Sequence, residues 1–161
     1  MKVTFSGAPL TLEGNQVKVG DVAPDFTVVG NDLSPIKFSE TKGKRILVAV
    51  PSIDTAVCDI EVRKFNQEAA KLNDVKVFTI SMDLPFAQAR WCGNAGIENV
   101  VTASDYKDRE FSKAYGLYIK ELGLVSRAVI VVDEDNKVVY TEYLEEITNE
   151  PNYEKAIEAA K

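Results

Sequence analysis

Histidine is absent from the 161 residues, and that single absence removes several mechanisms. Ser-His and Cys-His nucleophile pairs, histidine-ligated haem and zinc with imidazole ligands are all excluded. Cysteine is nearly as scarce, and two residues cannot build a zinc site from cysteine alone. Cys58 and Cys92 are too far apart for a C-x-x-C redox pair, and in a reducing compartment a permanent bridge between them is disfavoured. A transient bridge is left open.

Basic charge is also short. The chain has 19 Lys and Arg against 25 Asp and Glu, a net charge of -6, and no basic cluster. Binding nucleic acid or an anionic membrane through neutralised phosphates therefore has no visible basis. No apolar run approaches the length needed to span a bilayer, and Met1 leads into Lys2-Val-Thr-Phe-Ser-Gly7 without an apolar leader, so the expected location is cytoplasmic. Repeats, low-complexity stretches and linkers are missing as well. With 45% hydrophobic and 27% charged residues, the composition suits one domain over residues 1–161 with a sizeable core.

What is present centres on Ile46-Leu-Val-Ala-Val50 and the following Pro51-Ser-Ile-Asp-Thr-Ala-Val-Cys58. Five consecutive apolar residues suit a strand covered on both faces. Pro51 ends it, Ser52, Asp54 or Thr55 can cap a helix, and Cys58, Val62, Phe65, Ala69 and Leu72 recur at helical spacing. Cys58 thus lies in a first turn, where unpaired amides and the helix dipole favour thiolate over thiol. With Thr55 as N-cap, its hydroxyl can bond the Cys58 amide. The plainer reading of Cys58 is a small buried hydrophobe.

Elsewhere, Val3 to Phe5 and Leu10 to Leu12 read as a hairpin, with Gln16 to Val19 as a possible third strand. Pro24 to Val29 and Val75 to Met82 read as strands, and Ile36 to Phe38 as a short extended stretch. Strand, helix and strand around Cys58 make a right-handed crossover whose parallel strands end at one sheet edge, where ligands tend to bind. A second helix starts at Asp83 and Pro85, with the acid as cap, and ends at Gly93 or Gly96. Val100 to Ala103 reads as a strand, Arg109 to Tyr115 as a helix stopped by Gly116, and Leu117 to Val125 is ambiguous. A hairpin over Ala128 to Leu144 and a closing helix over Pro151 to Ala160 follow.

Four segments together carry a family resemblance. Pro51-x-x-x-Thr55-x-x-Cys58 is similar to the peroxiredoxin active-site motif, and Asp83-Leu-Pro-Phe-Ala-Gln-Ala-Arg-Trp-Cys92 to the segment bearing a second cysteine in the atypical two-cysteine branch of bacterial thiol peroxidases. Ser126-Arg-Ala-Val-Ile-Val-Val-Asp133 and Glu146-Ile-Thr-Asn-Glu-Pro-Asn-Tyr153 resemble later blocks of that family. The resemblance implies an α/β, thioredoxin-like fold: a central mixed sheet flanked by helices, with an N-terminal β-hairpin. It also implies Cys58 as peroxidatic and Cys92 as resolving cysteine, Thr55 and Arg127 as polar partners, and Pro51 as a pocket wall. No cofactor or metal is implied. Hydrogen peroxide and organic hydroperoxides would be substrates, thioredoxin the reductant, a homodimer the assembly and antioxidant defence the role. Ala56 departs from the pattern, since many relatives carry Pro or Gly there.

Sequence alone does not choose Arg127 over Arg63, Lys64 or Arg90, and Trp91 and Phe86 read as core. Two other classes compete: a thioredoxin-type disulfide reductase, opposed by the missing C-x-x-C, and a non-catalytic thiol redox sensor or binding module. The peroxidase reading carries a geometric expectation. Cys92 falls about seven residues into its helix, on the order of 10 Å from the sheet edge. A disulfide needs Cα atoms within about 7 Å, so pairing with Cys58 requires local unwinding, which Gly93 would ease.

Overall fold

The computed structural model describes residues 2–72, 74–95 and 100–161, with the backbone alone at 94 and 95. Its centre is β5 (Lys44–Ala49), whose residues alternate between two apolar clusters. Leu47 and Ala49 join Phe26, Phe38, Phe111 and Tyr115 on one side. Ile46, Val48 and Val50 meet Cys58, Val62 and Phe65 on the other. This is the period of two expected of a strand buried on both faces, each fully buried Val, Ile or Phe contributing about 1.5–3 kcal/mol.

The elements around it are β1 (Lys2–Phe5), β2 (Ala8–Glu13), β3 (Thr27–Gly30), β4 (Pro35–Lys37), α1 (Ala56–Ala69), β6 (Val75–Ser81), α2 (Pro85–Ala95) and β7 (Val100–Ser104). Then come α3 (Glu110–Ala114), β8 (Tyr118–Ile119), β9 (Leu124–Val125), β10 (Ala128–Val132), β11 (Val138–Tyr143) and α4 (Tyr153–Ala159). The main sheet has the order β11-β10-β5-β6-β7-β3-β4. Strands β5, β6 and β7 are parallel, and the flanking pairs antiparallel, so the sheet is mixed as expected. Helices α1 and α4 pack on the face that carries Val48 and Val129.

The N-terminal hairpin turns through Ser6 and Gly7, both at positive φ, as a tight two-residue connection requires. It extends further than the sequence indicates. Strand β2 pairs with β8, and β8 with β9, so the ambiguous stretch 117–125 completes a second, four-stranded sheet. That pairing also explains why residues 16–19 form no strand, contrary to the reading above. The free edge of β2 is occupied, and Val17 turns into the main core with its amide on the Tyr143 hydroxyl, 3.0 Å away.

Other boundaries shift for local reasons. Residues 24–26 precede β3 rather than belong to it, and Phe38 opens a 3₁₀ turn over Phe38–Glu40. Gly93 lies inside α2 instead of ending it, and Gly96 lies outside the described residues. Phe86 is not core: at 68% exposure it lies off the stripe that Pro85, Gln88 and Trp91 turn inward.

Candidate active site

Helix α1 begins where β5 delivers it. Buried Pro51 follows the strand, and Thr55, in extended conformation, is the N-cap. The Thr55 Oγ1 accepts the Cys58 amide at 3.2 Å and donates to the Ser52 carbonyl at 3.1 Å. Its one proton is therefore committed to Ser52. The bond to the Cys58 amide is the one expected of Thr55 as N-cap. Among the described residues, no acceptor meets the amides of Ala56 and Val57, the first two of the helix. Two donors thus remain open beside Cys58.

Cys58 has no exposed surface, and Arg127 reaches it from the residue before β10. The Arg127 Nη2 donates to Cys58 Sγ at 2.9 Å, its Nε to the Ile147 carbonyl at 2.6 Å, and its Nη1 pairs with Glu61. The planar fork is thereby fixed in three directions, which a lysine could not reproduce. Of the four cations left open by sequence, Arg63 instead pairs with Asp59 at 3.0 Å, and Lys64 lies over the Tyr153 ring.

Glu61 is also without exposed surface, and its Oε1 has no hydrogen-bond partner among the described residues. Burial pushes its carboxyl up to about 7, against the attraction of Arg127. For Arg127, burial opposes the charge, yet Glu61 and the Cys58 sulfur outweigh it and raise the guanidinium pKa. Sequence reading passed over Glu61. The available signal was an acid three residues after Cys58, on the same buried stripe as Val62 and Phe65.

Cys92 lies elsewhere. Half-buried on α2, its Sγ is 3.2 Å from Thr102 Oγ1 of β7, and Thr102 in turn donates to Asn31 Oδ1 at 3.0 Å. Both cysteines are free. The strands carrying their partners, β10 and β7, are three spacings apart in the sheet, on the order of 14 Å. The structure thus joins Cys58, Thr55 and Arg127 in one site, buries Pro51 between β5 and the turn that leads to it, and leaves Cys92 apart. Trp91 bridges the two helices, its Nε1 donating to Asp59 Oδ1 at 2.9 Å.

Among the described residues there is no cluster of three or more His, Cys, Asp or Glu able to hold a metal ion, and no helix long and apolar enough to cross a membrane. What the arrangement offers is a sulfur nucleophile with a fixed cation and open amides at its side. Such a site can attack an electrophile and hold the charge that develops on what leaves.

Comparison with known proteins places this chemistry. The Redoxin family description matches residues 18–157, and the chain belongs to that family. Within it the chain is 60% identical, over 161 residues, to the thiol peroxidase of Bacillus subtilis (strain 168), covering 99% of this chain and 96% of that protein. It is 55% identical to the thiol peroxidase of Clostridium acetobutylicum, covering 100% and 98%. The crystal structure of a peroxiredoxin-like protein from Aquifex aeolicus superposes with a TM-score of 0.93 at 40% identity, covering 99% of this chain and 95% of the other. The thioredoxin-like peroxiredoxin fold and thiol peroxidase activity follow: the enzyme reduces peroxides at the expense of a thiol.

Proposed function

We propose that Cys58 is the peroxide-attacking residue of this peroxidase and Cys92 the residue that resolves its oxidised form. The observation that carries this reading is the Arg127 guanidinium on the Cys58 sulfur, at 2.9 Å, in the first turn of α1. Cys58 thiolate attacks the outer oxygen of ROOH, an S–O bond forms as the O–O bond breaks, and the electron pair leaves on RO⁻, which takes a proton to become ROH. Arg127 and the open Ala56 and Val57 amides offer donors to that oxygen. Thr55 holds the turn that presents them, and Pro51 walls its entrance. Hydrogen peroxide and organic hydroperoxides both present the bond this chemistry needs.

The Cys58 sulfenic acid then meets the Cys92 thiol. A disulfide forms, water leaves, and an external dithiol, thioredoxin in this reading, returns both thiols. Zero exposure of Cys58 supports an internal second cysteine, since a protein reductant cannot touch that sulfur as folded. We further infer that residues 1–161 work as one domain, which the Thr4 contacts with Glu145 and Glu146 support, and that two chains form a homodimer in antioxidant defence.

Turnover of hydroperoxide with thioredoxin, its reductase and NADPH tests the assignment. Cys58→Ser abolishes turnover, whereas Cys92→Ser reacts once and retains a sulfenic acid visible as one added oxygen by mass. Sustained turnover by the Cys58 variant would remove Cys58 from this role.

A further inference from the structure

Asp83 lies between β6 and α2, and its carboxylate does not cap α2 as sequence suggests. It faces the turn that leads to Cys58. Its Oδ1 accepts the Ser52 hydroxyl at 2.7 Å, and its Oδ2 accepts the Ile53 amide at 2.9 Å and the Ser81 hydroxyl at 2.6 Å. Ser52 passes the constraint on. Its carbonyl takes the Thr55 hydroxyl proton, which leaves the Thr55 oxygen to accept the Cys58 amide. An unbroken relay therefore runs from Asp83 through Ser52 and Thr55 to Cys58.

A second branch runs into the helix that carries Cys92. Ser81 Oγ also accepts Gln88 Nε2 at 3.0 Å, and the fully buried Gln88 makes its other bond to the Ala103 carbonyl at 2.9 Å. The Asp83 carbonyl accepts the Ser104 hydroxyl at 2.5 Å. The start of α2 is thus pinned to the ends of β6 and β7 through the same residue. A carboxylate suits the junction because both its oxygens accept, whereas an amide would turn an N–H₂ group toward one set of donors.

We propose that Asp83 is a positioning residue that locks the Cys58 turn to the Cys92 helix, holding the first ready for peroxide while restraining the second. The proposal rests on the roles assigned above to Cys58 and Cys92. Locked, the site attacks fast and resolves slowly; released, it does the reverse. Because resolution needs local unwinding, a general loss of stability would also speed it, so the lock is identified by its two branches, each of which moves one step and leaves the other unchanged.

The test is Asp83→Asn, with the two steps measured separately by stopped-flow fluorescence of Trp91. Peroxide attack, read in a Cys92→Ser background, should fall about tenfold, the equivalent of one charged hydrogen bond. Disulfide formation, read with Cys92 present, should rise severalfold. Rates that fall together, or that both stay unchanged, overturn the proposal. Single branches are cut as well, and alone if Asp83→Asn does not fold. Ser52→Ala should slow attack alone, and Gln88→Leu should speed disulfide formation alone; failure of either pattern rejects the coupling. Absence of a Cys58–Cys92 disulfide in the unmutated chain would refute the role of Cys92 instead, while the attack measurement would still report on Asp83.

Discussion

The two cysteines occupy opposite kinds of environment. Cys58 is fully buried and fixed on two sides, by Arg127 at its sulfur and Thr55 at its amide. Cys92 is half-buried, and its described polar contact is one hydroxyl on a neighbouring strand. Since Thr102 gives its own proton to Asn31, the Cys92 thiol is the donor in that contact, a weak S–H···O bond. The first environment is built to hold one geometry through a reaction. The second holds its thiol by one weak contact, and under the roles proposed for the two cysteines the difference divides the catalytic cycle into a rigid half and a mobile half.

Arg127 is where the rigid half breaks most severely. Arg127→Met should lower the rate constant for peroxide attack by about 10²–10³, the range found on removing a preorganised donor, and Arg127→Lys should also be impaired. The same change strands a buried Glu61 charge, with a stability cost of about 3–5 kcal/mol. Glu61→Gln combined with Arg127→Met separates the two effects: denaturant stability should recover while the rate loss persists. An unchanged attack rate in Arg127→Met would give the role to another cation.

The mobile half makes the contrary prediction. Oxidation to the disulfide should cost hydrogen-exchange protection at residues 55–60 and 86–95 while β5, β6 and β10 keep theirs, because the partners of the two sulfurs are rooted three strands apart. Thr102→Val, which removes the contact holding Cys92 together with the bond to Asn31, should speed disulfide formation a few-fold, in line with a weak bond. Unchanged exchange in both segments would mean that the helices bring the sulfurs together without unwinding.

The rigid half was also the more legible in sequence. Thr55, Cys58 and the apolar stripe lie within one short segment, residues 55–72, where helical spacing and capping rules act directly. Arg127 could be chosen only through family resemblance, since its approach to Cys58 depends on β10 pairing antiparallel to β5. Glu61 and Asp83 were missed for a related reason. Each is an acid whose partners come from another segment, and local rules gave Glu61 no role and read Asp83 as a helix cap. The hairpin was legible from its turn, but its extension through β8 and β9 rests on two short, non-local pairings.

Two carboxyls sharpen the comparison through pH. Burial holds Glu61 at about 7 in the folded chain, above its unfolded value near 4.5. The folded state therefore binds that proton more tightly, so the contribution to stability is fully present below about 4.5 and is lost as pH rises through about 7. Glu61→Gln should flatten stability against pH across that window. A slope unaltered by the substitution would place the titration on another group.

The smallest effect belongs to Glu146, which ties the N-terminal hairpin to the segment beside Arg127. Its Oε1 accepts the Thr4 hydroxyl and the Gly7 amide, each at 2.9 Å, and its Oε2 accepts the Thr148 hydroxyl at 2.5 Å and amide at 2.9 Å. The Thr148 hydroxyl above all, then the Thr148 and Gly7 amides, lower its carboxyl to about 2. Here the folded state binds the proton less tightly than the unfolded chain. The contribution is present above about 4.5 and is lost as pH falls through about 2, the opposite sense to Glu61. Glu146→Gln should therefore remove part of the acid-side loss of stability and loosen residues 2–7 to hydrogen exchange. The rate of peroxide attack should change little, because Ile147, whose carbonyl holds Arg127, is itself buried in a cluster with Ile119, outside the loosened segment. A loss of attack rate in Glu146→Gln as large as in Arg127→Lys would show that the hairpin, through Ile147, belongs to the rigid half after all.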